Sequence, residues 1–393
     1  MPNSLHADVA VVGLGAMGAA TLYQLAKRGV SCVGIDRFAP PHDLGSSHGE
    51  TRITRLAVGE GGALAPFVRR SHEIWRELEA ATGETLLTQC GALVMAPGGA
   101  PSSHHGKPDF VARSIAVAEE FGIAHEAFGG AEVRRRFPHF VAADDVQAYF
   151  EPEGGYVAPE RCIAAQLGEA VRLGARVVTG AAARAIRQTG AGVELETADG
   201  VVACDRAIVA AGAWAGPLLG APFDRLLTVK RQVLHWFALE DGVEAPEGSP
   251  VFIWMHGAGD ADYLYGFPPQ PGARSMKVAT EQFEASTEAN AVERAVSPAE
   301  SAAMYEAHLR GRLAGVTSRA VKAAACMYVM TPDFNFIIDD HPAMDRVTVV
   351  SACSGHGFKH SAGVGAALAE RAETGRSPMD LKPFALSRFD GRV

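Results

Sequence analysis

Three groups of residues in this chain have types and spacings suited to chemistry. The first is Gly13-Leu14-Gly15-Ala16-Met17-Gly18, which follows the apolar run Asp8-Val9-Ala10-Val11-Val12 and is answered by Asp36 after Ser31-Cys32-Val33-Gly34-Ile35. In a G-x-G-x-x-G turn between strand and helix, the first glycine permits the turn and the second lets backbone approach a pyrophosphate. The third lets helix and strand pack closely. Phosphate then meets free N–H groups at the positive end of the helix dipole. Asp36, about 20 residues on, is placed to accept hydrogen bonds from an adenosine ribose. These residues specify an ADP-containing dinucleotide and leave FAD and NAD equally open.

The second group is Arg52 and Arg55, three apart in Glu50-Thr51-Arg52-Ile53-Thr54-Arg55, a spacing that lets them share one helical face, whether a functional pair or simply a solvated basic face. The third is Ser354-Gly355-His356-Gly357-Phe358-Lys359, where a strand, Val347 to Ser351, enters a glycine loop and a helix from about residue 361 to 374. Lys359 stands out there, because cations are disfavoured at helix N-termini.

The elements that must hold these groups follow from pattern. At 393 residues with 48% hydrophobic content, the chain is globular and long enough for two domains. A net charge of −9 argues against nucleic acid as a partner. Six scattered cysteines form neither metal-ligand pairs nor a secreted disulfide framework, so no metal is expected. With the glycine turn reached almost at once and no apolar run of membrane-spanning length, a cytoplasmic protein is expected.

Residues 64–81 read as an amphipathic helix with Phe67, Ile74, Trp75 and Leu78 inward. The Gly/Pro/Ser/His stretch from Pro97 to Pro108 reads as an exposed loop. Residues 200–203 and 205–212 read as separate segments, the latter an apolar strand ending in Gly212 at the carboxyl edge of a parallel sheet. Thr228 to Leu239 alternates like an antiparallel strand with one solvated side, and 297–313 is helical. The expected fold is α/β: a Rossmann-like cofactor domain from 1–85, 150–225 and 321–393, with an inserted α+β substrate domain on a mostly antiparallel sheet from 86–149 and 226–320.

Taken together, the residues resemble a family, the monomeric sarcosine oxidase and N-methyltryptophan oxidase group of FAD-dependent amine oxidases. The resemblance spans nearly the whole chain. It rests on the glycine turn, on Pro40-Pro41-His42 and Gly45-Ser46-Ser47-His48-Gly49-Glu50-Thr51-Arg52, and on Gly59-Glu60-Gly61. Ala325-Cys326-Met327-Tyr328, Phe336-Ile337-Ile338-Asp339 and the loop ending at Lys359 complete it.

The resemblance implies FAD bound covalently through Cys326, with a flavin site drawn from Gly13, Gly15, Ala16, Met17, Gly18, Asp36, Arg37, Ser46, His48, Thr51, Arg52, Gly212, Gly355, Gly357, Phe358 and Lys359. It implies that Arg55 and Lys359 grip a substrate carboxylate and that Lys277 helps the reduced cofactor react with O2. Tyr328 and His356 would line the substrate cavity, beside Arg52 against the flavin. The implied reaction is oxidation of a small secondary amine bearing a carboxylate, N-methyl or cyclic, to an imine that hydrolyses, with O2 reduced to H2O2 by a monomeric enzyme. A dehydrogenase using another acceptor, an NAD enzyme and a non-catalytic flavoprotein subunit are the alternatives.

Two departures bear on substrate. Glu281 stands where sarcosine oxidase has a histidine, and Leu56 and Val58 stand where the family often has histidine and tyrosine. Glu281 is therefore expected among the substrate-binding residues, with a substrate larger or more cationic than sarcosine.

Overall fold

The computed structural model describes residues 5–99, 102–243 and 248–391. Two large sheets organise them. In the first, β1 (Leu5–Val12) lies between β2 (Cys32–Ile35) and the strand Gly200–Val209, all parallel, with Arg176–Val178 outside β2. The strand Met344–Ser351 adds in parallel to the far half of Gly200–Val209, while Val193–Thr197 pairs antiparallel with its near half. This is the parallel Rossmann-like layer, and residues 200–209 are one continuous strand where the sequence reads as two segments. Cys204 and Ala207 are both buried, so nothing in packing interrupts it.

Helix α1 (Ala16–Lys27) crosses from β1 to β2 and is buried along most of its length, between the helices Pro159–Arg172 and Ser361–Thr374. A side chain at Gly365 would put its Cβ 2.7 Å from that of Ala20, so this glycine sets how closely α1 and the C-terminal helix approach.

Among the described residues the second sheet has nine strands, antiparallel except where Val251–Met255 runs parallel to Ala92–Pro97. Its long member Thr228–Leu239 pairs with Ser275–Ala279 and with Val316–Met330. Contrary to expectation this strand has no solvated side beyond Arg231: every residue from Gln232 to Ala238 is buried. Cover comes from two directions, since His235 reaches Ser301 on one face while Trp236 reaches Glu50 on the other. The expected helix at 297–313 is shorter, running from Pro298 to Met304 and through a π-helical turn to Leu309. It opens on a capping box in which Ser297 and Glu300 satisfy each other's backbone N–H groups.

Two further expectations are corrected. Arg52 lies on a short strand, Arg52–Thr54, paired with Gly155–Val157, so Arg52 and Arg55 share no helical face. The Pro97–Pro108 stretch, whose residues 100–101 lie outside the described residues, is no exposed loop. Ser103–His104 and Lys107–Pro108 form a hairpin, and Ser102, His104 and His105 are buried. Composition alone misplaced it, because the histidines find buried partners.

Candidate active site

A cavity with about 1360 Å³ of atom-free space, part of it open to solvent, lies along the carboxyl edge of the parallel sheet. At one end are Asp36 and Arg37, in the middle Gly13, Gly15, Ala16 and Met17, and at the other Arg52, Tyr328, Gly355 and Phe358. The three glycines divide as the motif requires. Gly13 has φ +87, a conformation that favours glycine. A Cβ on Gly18 would lie 1.7 Å from the Gly13 carbonyl oxygen, so helix and strand could not pack with any larger residue. A Cβ on Gly15 would meet nothing closer than Ser47 Oγ at 3.5 Å, so what Gly15 keeps clear is the cavity itself.

Helix α1 starts after Gly15, which offers no side-chain cap; the Ala16 N–H donates to Ser47 Oγ at 3.3 Å, and the next N–H groups of the first turn are left to a ligand. Asp36 accepts hydrogen bonds from the Leu14 and Phe38 N–H groups at 2.7 and 2.8 Å, which aims its carboxylate at the turn. The Arg37 guanidinium lies 4.9 Å from the Trp214 ring and keeps a buried Nε with no partner, and Gly212 lines the same wall. An uncapped helix start, a fixed acid and an unpartnered guanidinium donor along one long cleft fit an ADP-containing cofactor such as FAD.

At the far end, Arg52 donates to the carbonyls of Thr51 and Ser46 at 2.8 and 2.9 Å and places Nη2 3.6 Å from Cys326 Sγ. Cys326 is buried on the strand Val316–Met330. Burial pushes its thiol up, but a hydrogen bond from His48 and the charges of His48 and Arg52 bring it down to about 7. The other five thiols are all pushed up, mainly by burial, Cys32 and Cys90 to about 11. Of the six, Cys326 alone has its thiol drawn down towards neutral pH, and the thiolate is the nucleophile.

Lys277, buried on Ser275–Ala279, donates to Gly49 O, Thr51 O and Thr51 Oγ1 at 2.6, 2.8 and 3.1 Å. Three acceptors match the three protons of an ammonium, while burial and the Arg52 charge pull its pKa well below the lysine range.

A second cavity adjoins the first: Arg52, Tyr328, Gly355 and Phe358 line both. Inside it Arg55 Nη2 meets Glu60 Oε2 at 2.8 Å, and Lys359 Nζ lies 4.0 Å from Glu60 Oε1 while donating to the His356 carbonyl at 2.8 Å. Arg55 and Lys359 are buried, which rules out a solvated face for either. Burial lowers Lys359 to about 7, and Arg55, Lys359 and His356 together hold Glu60 well below the carboxylate range against its own burial. Tyr328 OH lies 3.4 Å from Tyr265 OH, and burial raises the Tyr328 hydroxyl well above the usual range. His356 stacks on Phe336, has Nε2 3.0 Å from the Phe334 carbonyl, and keeps an unpartnered buried Nδ1; burial lowers it to about 3.

Glu281 lines this cavity too, but Leu56 and Val58 do not; both are buried in the core. The sequence reading missed Tyr263 and Tyr265 as cavity residues, and above all His104 and His105. The hairpin carries His105 in between Glu60 and Glu281, with Nδ1 3.2 Å from Glu60 Oε1 and Nε2 3.0 Å from Glu281 Oε1. The available signal was His104-His105-Gly106 followed by Pro108, a two-residue turn with paired imidazoles. Glu60, His104 and His105 bring ligand-type atoms within 4.8 Å of one another. With the Glu60 oxygens engaged by Arg55 and His105, they form an ion-pair network.

The parallel sheet, its glycine cleft and the cation-lined cavity beside it are those of a dinucleotide-binding oxidoreductase. The chain belongs to the FAD dependent oxidoreductase family, whose profile matches residues 8–371. It is 36% identical over 389 residues to monomeric sarcosine oxidase of Bacillus sp. (strain B-0618), covering 98% of this chain and 97% of that protein. It is 33% identical over 384 residues to N-methyl-L-tryptophan oxidase of Yersinia pestis (strain Pestoides F), covering 97% and 99%. Among solved structures, the open form of NikD, an unusual amino acid oxidase, superposes with a TM-score of 0.82 over 97% of this chain and 98% of its own at 20% identity, which speaks for the fold. Among the described residues no helix is long and apolar enough to cross a membrane.

Proposed function

We propose that this chain oxidises a secondary amino acid, N-methyl or cyclic, at its C–N bond, with FAD as cofactor and O2 as electron acceptor. One observation carries the reading: two buried cations, Arg55 and Lys359, face a cavity that opens onto the dinucleotide cleft. The substrate carboxylate takes the guanidinium fork of Arg55 bidentately, with Lys359 adding a point charge. The unpartnered Arg55 Nε shows that its donors are not used up by Glu60.

So anchored, the substrate presents its C–N unit towards the residues shared by both cavities, Arg52, Tyr328, Gly355 and Phe358. Bound FAD supplies the two-electron acceptor and, once reduced, the donor to O2. The substrate loses two electrons and two protons to become an imine, which water hydrolyses, and O2 gains both to become H2O2. Tyr328, its hydroxyl kept protonated, offers a donor beside the reacting centre. Lys277 supplies positive charge where negative charge develops on oxygen. Cys326 is the point of covalent attachment, activated by His48 and Arg52.

The residues 1–85, 150–225 and 321–393 serve as the cofactor domain, with the rest forming the substrate domain. Both cavities are complete within one chain, which supports action as a monomer. Six free cysteines support a reducing, cytoplasmic setting. The test is anaerobic mixing of the purified flavoprotein with a panel of N-alkyl and cyclic amino acids. Flavin absorbance should bleach with at least one, and readmitted air should return H2O2 equal to substrate consumed. No bleaching with any amine would overturn the reading.

A further inference from the structure

The hairpin from Ser103 to Pro108 is absent from the reading above, yet its turn reaches the amine cavity. Its turn is His105-Gly106, with φ +51 and +67, and the strands pair on either side as Ser103 with Pro108 and His104 with Lys107. A two-residue turn with both φ positive is the kind that asparagine and glycine favour. A histidine at its first position is held there by partners, and both ring nitrogens have one.

We propose that His105 is a positioning residue that neutralises the Glu281 carboxylate, so that an amino acid gripped by Arg55 and Lys359 is held with its amine as the free base. This rests on the amine-oxidase reading.

The charged and titratable groups facing His105 are these. Arg55 and Glu60 come from the segment after the strand Arg52–Thr54, and Glu281 from the segment after Ser275–Ala279. Arg52 comes from the strand Arg52–Thr54 itself, His356 and Lys359 from the C-terminal glycine loop, and Tyr263, Tyr265 and Tyr328 from two strands of the large sheet. His104 sits beside it on the hairpin, its ring 3.7 Å away.

Glu60 already has Arg55 at 2.8 Å and Lys359 at 4.0 Å. Glu281 has the two hairpin histidines, and His104, 3.8 Å away, is pushed well below the usual histidine range by burial and by the charge of His105. Among the described residues, the cation left to Glu281 within hydrogen-bond distance is therefore His105 at 3.0 Å. Burial lowers His105, but Glu281 and Glu60 outweigh it and raise it to about 9, so both ring nitrogens carry protons at neutral pH.

An amine lone pair must be free before the C–N bond can be oxidised, and an α-amine lies one carbon from its carboxylate. A bare carboxylate in the same small cavity would favour the ammonium form. Paired with His105, Glu281 adds no net charge, and Arg55 and Lys359 then push the amine towards its neutral form. The pairing also means that Glu281 is not a free anion awaiting a cationic substrate.

The test uses the holoenzyme and an N-methyl amino acid that the parent oxidises, reading the limiting rate of anaerobic flavin bleaching against pH. His105→Asn keeps the turn, because asparagine accepts positive φ. Its rate profile should shift to higher pH by about one to two units. Glu281→Gln alone should shift the profile to lower pH, and adding it to His105→Asn should cancel the upward shift. A histidine that merely props the hairpin would lower rates without moving the midpoint. A His105→Asn profile unmoved from the parent's, or an upward shift that persists in the double variant, would overturn the proposal. If His105→Asn fails to accumulate, His105→Gln is read the same way. A parent enzyme that no amine bleaches would overturn the oxidase reading and this inference with it; a bleaching parent with unmoved variants overturns this inference alone.

Discussion

The Arg55 guanidinium and the Glu60 carboxylate meet at 2.8 Å with only 2% and 3% of their side chains exposed. A buried pair of this kind is held in place before any substrate arrives. Glu60 keeps two cations in the cavity that would otherwise repel each other, and Arg55 retains a buried donor for an incoming anion.

Removing one partner of such a pair strands the other. Glu60→Gln should therefore lower stability at neutral pH by about 3 kcal/mol or more, measured by urea unfolding of parent and variant. The carboxyl of Glu60 is depressed in the folded state. Its contribution is thus complete above the unfolded value near 4.5 and is lost as pH falls through the lower folded value. The difference between parent and Glu60→Gln should shrink only in acid.

Covalent attachment through Cys326 predicts that the yellow colour stays with protein precipitated by acid, and that Cys326→Ser releases it to the supernatant. His48→Asn removes the hydrogen bond and charge that lower the thiol. Adding FAD to the apoprotein of that variant should give slower attachment below about pH 8, with the rate recovering as pH rises through the restored thiol pKa. Equal attachment rates in both proteins at pH 7 would rule His48 out as the activating group.

Lys277→Met keeps the length of the side chain and removes its charge. It should leave anaerobic bleaching by substrate within a few-fold and slow reoxidation by O2 about a hundredfold or more, the usual scale for losing an oriented charge at a reacting oxygen. Stopped-flow measurement of the two half-reactions separates these effects. A variant slowed only in the first half-reaction would assign Lys277 to substrate instead.

Gly15→Ala and Gly18→Ala should part company. The first meets only Ser47 Oγ at 3.5 Å and should fold with weakened FAD binding, whereas the second places a methyl 1.7 Å from a carbonyl oxygen and should fail to fold properly. Flavin titration and circular dichroism of the two variants make the comparison.

The parts of this molecule that were legible in sequence are those fixed by local rules. The glycine turn, Asp36, the helix 65–82 and the C-terminal glycine loop each announce themselves within a short window. Other features depend on distant partners. The strand Thr228–Leu239 alternates in sequence but is covered on both faces by residues far along the chain, so its period misleads. His105 sits among glycine, proline and serine, which spell an exposed turn. Its place is set by Glu60, 45 residues before it, and Glu281, 176 residues after it. Arg52 and Arg55 were picked out by type and spacing, yet on a strand end rather than a helix.

The strand Thr228–Leu239 pairs Gln232 with Cys326 on one side and Trp236 with Lys277 on the other. The proposed attachment point and the lysine proposed to act on oxygen thus ride on one ladder. Neighbouring strands lie about 4.8 Å apart, so the offset between thioether and ammonium is gauged by backbone hydrogen bonds rather than by the contact between the two layers. A cofactor tethered at Cys326 would take its register with Lys277 from this ladder alone.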